Sequence, residues 1–204
     1  MKLYYATGAC SLAVNIVLRE AGLAFDMERV DTKTHTTEHG VDFYTINPKG
    51  YVPVLRLDDG EQLTEGAAIV QYIADRHPEA GLAPACGTIE RARLQEHLNY
   101  LASEVHKNFY ALFHPAAAPE AKQASVAALA ERFDYLESLF SVGRSYLMGD
   151  RYSATDPYLY VMLTWTHYVG VSLDKWPHLI AFRDRVAARP AVQAALHSEG
   201  LGKH

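Results

Sequence analysis

The sequence predicts an α/β domain followed by an all-α domain. Three observations carry this. Short β-prone runs alternate with helical ones up to about residue 78, Pro78, Gly81, Pro84 and Gly87 then cluster among small residues, and every apolar pattern after that cluster has helical spacing. The expected boundaries are residues 1–78 for the α/β domain, 79–88 for the linker and 89–204 for the helical domain.

Taking the elements in order, Lys2–Tyr5 is β-prone and leads through Ala6-Thr7-Gly8-Ala9 into a helical pattern of Leu12, Ile16 and Val17, which Gly22 is placed to end. A β-prone run at 27–31 follows, and strand, helix, strand in that order implies a parallel pair with a crossover. The runs 52–57 and 62–64 flank Asp58-Asp59-Gly60, and an Asp-Gly turn between apolar runs signals a hairpin. Residues 67–73 close the domain as a helix. Beyond the linker, Leu94, Leu98, Leu101, Val105 and Leu112 mark one buried stripe on a long helix, and further helical patterns cover 121–140, 158–169 and 179–187.

With 19 basic and 24 acidic residues and a net charge of -5, the chain offers no electrostatic footprint for nucleic acid or an anionic membrane, and neither is expected as a partner. The N-terminus lacks the apolar core of a signal peptide, and no stretch reaches the length of a membrane span. The two cysteines, Cys10 and Cys86, form no CxxC pair, which suits a reducing cytoplasm.

Four groups of residues could carry chemistry. Cys10 falls at the first turn of a helix, where backbone N–H groups and the dipole favour a thiolate, although a small buried core cysteine would fit the same place. Val52-Pro53 could be cis, turning the Val52 N–H and C=O toward an extended peptide backbone, or it could be an ordinary trans proline opening a strand. Glu65-Gly66 lies where a strand hands over to a helix, so Glu65 can accept an ammonium and the Gly66 N–H a carboxylate; an α-amino acid end is the matching ligand, and a plain helix-start acid is the alternative. Asn99, Ser103, His106 and Tyr110 share one helical face, a polar cleft wall or a solvated surface. The HxxEH pattern at His35 to His39 is set aside as a metal site, because Thr34, Thr36, Thr37 and Gly40 make a poor helix and no third ligand follows; no metal is expected.

In joint order and spacing, Tyr5, Gly8-Ala9-Cys10-Ser11-Leu12, Asn47-Pro48-Lys49-Gly50-Tyr51-Val52-Pro53-Val54-Leu55, Leu63-Thr64-Glu65-Gly66-Ala67-Ala68-Ile69, and Asn99 with Glu104-Val105-His106-Lys107 closely resemble the bacterial beta class of glutathione transferases. The resemblance covers essentially the whole chain, and Ser153-Ala154-Thr155-Asp156 is similar to the family's capping box. It implies a thioredoxin-like N-terminal domain, a helical bundle C-terminal domain and a homodimer. It also implies glutathione as co-substrate, with Val52 on its cysteinyl backbone beside cis Pro53, Glu65 and Gly66 on its γ-glutamyl end, and Asn99, Ser103, Glu104, Val105, His106 and Lys107 completing the pocket.

Two departures from the family pattern stand out. His35 occupies a position where the family typically has a lysine facing the glycine carboxylate of glutathione, so weaker binding is expected unless Lys33 compensates. Pro157 lacks the N–H that would close the first backbone bond if Ser153 caps the helix; Thr155 as the cap would avoid the loss.

The expected mechanism has Cys10 and His106 holding glutathione as a thiolate or mixed disulfide for attack on an apolar electrophile. Tyr110, Phe113, Trp165 and Tyr168 wall the second substrate or serve as plain core. Reduction of glutathione mixed disulfides through Cys10 is a rival chemistry, and a noncatalytic binder of the same fold is a rival class.

Overall fold

The strand, helix, strand pattern at the N-terminus is realised in the computed structural model, which describes residues 1–202, as β1 (Lys2–Tyr5), α1 (Ser11–Glu20) and β2 (Asp26–Asp31). β1 and β2 are parallel with Leu3 opposite Met27. The two-residue β3 (Thr36–Thr37) runs antiparallel to β2, and the Asp-Gly hairpin joins β4 (Val54–Arg56) to β5 (Gln62–Thr64). The sheet order is β3-β2-β1-β4-β5, which leaves β1 central with Leu3, Tyr4 and Tyr5 buried. α2 (Gly66–Arg76) follows β5 directly.

The rest of the chain is helical, in the order α3 (Ile89–Tyr100), α4 (Tyr110–Phe113), α5 (Pro119–Ser141), α6 (Thr155–Tyr168), α7 (Pro177–Ala187) and α8 (Pro190–Ser198). The Thr88 hydroxyl caps α3, accepting the Arg91 N–H at 3.2 Å. Between α3 and α4 the backbone makes one π-helical turn, Leu101–Val105, and one 3-10 turn, His106–Phe109. That widened turn shifts the phase of the apolar stripe. Leu94, Leu98, Leu101 and Val105 are buried as expected, but the next buried position is Phe109, and Leu112 is only half-buried.

α6 is buried almost all round over its first nine residues, which is why it reads as apolar on every face. Its start resolves the question raised by Pro157. The Asp156 carboxylate accepts from Leu147 N (2.9 Å), Ser153 N (2.7 Å) and the Ser153 hydroxyl (3.1 Å), while Ser153 O accepts from Asp156 N at 3.2 Å. With the helix beginning at Thr155, Pro157 lies among first-turn positions whose N–H groups have no partner within the helix, so its missing donor costs nothing.

The chain divides into two compact units, Met1–Leu82 together with the segment from Ala188 onward, and Ala83–Ala187. The sequence predicts one helical domain over 89–204, whereas α8 packs on α1 in the first unit. Buried Asn15 of α1 explains the attachment: its Nδ2 donates to Glu199 Oε1 at 3.0 Å and to the Ser198 hydroxyl at 3.2 Å, and Arg189 makes a two-pronged ion pair with Glu20 (2.6 and 2.8 Å). Among the described residues no helix is long and apolar enough to cross a membrane.

Candidate active site

The expected site residues fall on both units. In the first, Ser11 ties the turn before α1 to itself, its hydroxyl bonding to both Ala6 O and Ala6 N at 3.2 Å. This places Cys10 at the N-cap of α1, half-buried, with its thiol donating to Val52 O at 3.3 Å. Of the two readings of Cys10, burial favours the neutral thiol. Burial pushes the thiol up to about 12, and the backbone N–H groups of Cys10 and Ser11, which favour the anion, do not offset it. Glu65 and Glu199 add to the rise as nearby negative charges.

Val52-Pro53 is a cis bond, and Pro53 is buried. The β4–β5 register sets Val54 opposite Thr64, so the chain just before β4 lies beside the chain just after β5. A Cβ built on Gly66 would be 3.8 Å from the Pro53 ring. The sheet therefore brings Cys10, Val52, Pro53, Glu65 and Gly66 together. Glu65 adopts φ 67, ψ 108, a region costly to a residue with a side chain and characteristic of functional positions. Its backbone O accepts the Ala68 and Ile69 N–H groups at 2.9 Å, and its exposed carboxylate pairs with Lys49 Nζ at 2.7 Å.

His35 also has positive φ, 52, and its ring lies 4.6 Å from that of Tyr44. Its Nδ1 is buried without a hydrogen-bond partner. Residues 35–39 form β3 and its flanking turns, so His35 and His39 do not share a helical turn.

In the second unit the π turn carries Ser103, Glu104 and Val105, and the 3-10 turn begins at His106. Asn99, Ser103 and Lys107 are exposed, Glu104 is held by Arg132 at 2.9 Å, and the Val105 side chain is fully buried. His106 is half-buried; its Nδ1 shares a 2.8 Å hydrogen bond with the Tyr158 hydroxyl and its ring sits edge-on to Trp165 at 4.8 Å. Phe113 packs on the same indole at 5.5 Å while remaining half exposed. Trp165 is buried and forms the floor of this cluster, whereas Tyr110 stacks on His114 and Tyr168 meets His167, both largely exposed.

Sequence reasoning missed Lys49, Ser11 and Tyr158. Tyr158 had a signal: it precedes Trp165 by two helical turns, so both fall on one face of α6. Lys49 had one too, in the turn-forming Asn47-Pro48-Lys49-Gly50.

Comparison with known proteins gives the same class as the fold and these residues. Residues 7–76 match the glutathione S-transferase N-terminal domain model, and 100–190 match the C-terminal domain model of the same family. Glutathione S-transferase GstA of Escherichia coli is 43% identical over 201 residues, covering 98% of this chain and 100% of that one. The structure of BphK, a bacterial glutathione S-transferase in a ternary complex, is 50% identical with a TM-score of 0.97, covering 98% of this chain and 100% of that one. A sphingomonad glutathione S-transferase complexed with glutathione is 48% identical with a TM-score of 0.95, covering 99% and 100%. The chain belongs to the glutathione S-transferase family, in its bacterial beta class.

Proposed function

We propose that the chain joins the glutathione thiolate to apolar electrophiles, and that Cys10 serves this reaction as a protonated thiol. The observation that carries the reading is the Cys10 S–H donating to Val52 O at 3.3 Å, at the strand end where Pro53, Glu65 and Gly66 converge. A ligand that pairs with Val52 as an added strand would bring its own sulfur to that donor, and a hydrogen bond from a neutral thiol stabilises a thiolate. Glu65 would take the ammonium of the γ-glutamyl end and the Gly66 N–H its carboxylate. The resemblance extends the glutathione set to His35, Asn99, Ser103, Glu104, Val105, His106 and Lys107, and adds a homodimer in the cytoplasm. Phe113, over the buried Trp165, with Tyr110 and Tyr168, offers apolar surface for the electrophile.

Thiol exchange is the second activity of the same cysteine. Once ionised, Cys10 attacks the glutathionyl sulfur of a mixed disulfide and releases the other thiol, which takes up a proton; free glutathione thiolate then attacks the Cys10 mixed disulfide, regenerating Cys10 and releasing glutathione disulfide. Retention on immobilised glutathione followed by assay with a chlorinated nitrobenzene tests the main reading. Binding without turnover would favour a noncatalytic binder. Cys10→Ala is expected to abolish disulfide reduction while sparing much of the conjugation, and equal loss of both would count against the division of roles.

A further inference from the structure

Asn47 is 2% exposed, and its side chain fastens the loop before β4 at two points: Nδ2 donates to Tyr51 O at 2.7 Å, and Oδ1 accepts from Lys49 N at 3.2 Å. Gly50, at φ 71, closes that loop against two rings. A Cβ there would lie 2.8 Å from Tyr44 Cε1 and 3.1 Å from His35 Nδ1, so both conformation and space demand glycine. Lys49 therefore leaves a backbone with little freedom. Its ammonium donates to Thr64 Oγ1 at 3.0 Å and to Glu65 Oε1 at 2.7 Å. A carboxylate shaped to receive a ligand's ammonium already holds one from its own chain.

We propose that Lys49 is a built-in competitor for the ammonium subsite on Glu65. An α-amino ligand then gains only the difference between its own ammonium and that of Lys49, and discrimination against ligands without the amino group is blunted. The proposal rests on the reading of Glu65 as receiver of the γ-glutamyl ammonium. Lys49 and Glu65 side chains are 49% and 68% exposed, so the pair is weakly held and the lysine can swing into water when displaced. Were Lys49 instead to position Glu65 for the ligand, with Oε2 left to accept, its removal would have the opposite sign.

The experiment is a comparison of dissociation constants, by calorimetry, for glutathione and for glutaryl-cysteinyl-glycine, which keeps the carboxylate and lacks only the amino group. Their ratio isolates the ammonium from any effect of Lys49 on the carboxylate. The wild-type ratio should favour glutathione, Lys49→Met should raise that preference about two- to fivefold, and Glu65→Gln should reduce it to about one. Thr64→Val, which removes the lysine's second acceptor, should shift it in the same direction by less. An unchanged or lowered preference in Lys49→Met, with the wild type still favouring glutathione, overturns the competitor role alone. A wild-type ratio near one that Glu65→Gln leaves unaltered overturns the Glu65 reading beneath it.

Discussion

At Cys10 two influences of opposite sign meet. The helix start offers N–H groups to an anion, while burial strips solvent from it and the charges of Glu65 and Glu199 disfavour it further. Burial is the largest influence, and it pushes the thiol up to about 12 from an ordinary value of 9.0. In a Cys86→Ser background, the rate of Cys10 alkylation by iodoacetamide in the ligand-free protein should climb about tenfold per pH unit from 7 to 10. A plateau below pH 8 would mean that the thiolate is already formed. Position on the helix was legible in the sequence, because a strand, a glycine turn and a helical period place Cys10 without reference to anything distant. Its ionisation was not, since that depends on burial and, to a lesser degree, on the charges of Glu65 and Glu199, which are remote in sequence.

The start of α6 shows how much stability one element can place in a single side chain. Asp156 is fully buried and accepts from Leu147 N, Ser153 N and the Ser153 hydroxyl. Asp156→Ala leaves those donors in the core without that acceptor, and should destabilise the protein by about 2–4 kcal/mol in urea unfolding. A loss below about 1 kcal/mol would show that water or relaxation replaces the carboxylate. The pairing of Ser153 with Asp156 was legible through the family resemblance because the two lie three residues apart, but the helix cap falls on Ala154, without a side-chain cap, and not on Ser153 or Thr155. The π turn at Leu101–Val105 was not readable: an unbroken helical period predicts a buried Leu112, whereas the backbone turns Phe109 inward. A wider turn leaves no local mark in leucine, alanine and glutamate, which suit an ordinary α-helix equally well.

On the scale of the whole molecule, the first unit is completed by the end of the chain. α1 is buried from Ser11 to Leu18, and part of that burial comes from α8. The Glu199 carboxylate just beyond α8 also accepts from Gly8 N at 2.9 Å, bracing the turn that leads to Cys10. Burial raises this carboxyl above its ordinary value. A fragment of residues 1–82 would expose that face of α1 and lose both acceptors of the Asn15 amide. It is expected to show no cooperative thermal transition by circular dichroism, and a melt matching that of the intact chain would refute the dependence.

The sequence by itself determined the class of each domain, the strand order's parallel step, the hairpin and the family, since hydrophobic period, turn chemistry and motif spacing are properties of neighbouring residues. Only the tertiary structure decided that burial raises the Cys10 thiol, that Lys49 meets Glu65 and that α8 returns to the first unit. Each of these follows from burial or from charges that the fold brings within hydrogen-bonding distance, and neither quantity exists until remote parts of the chain have packed together.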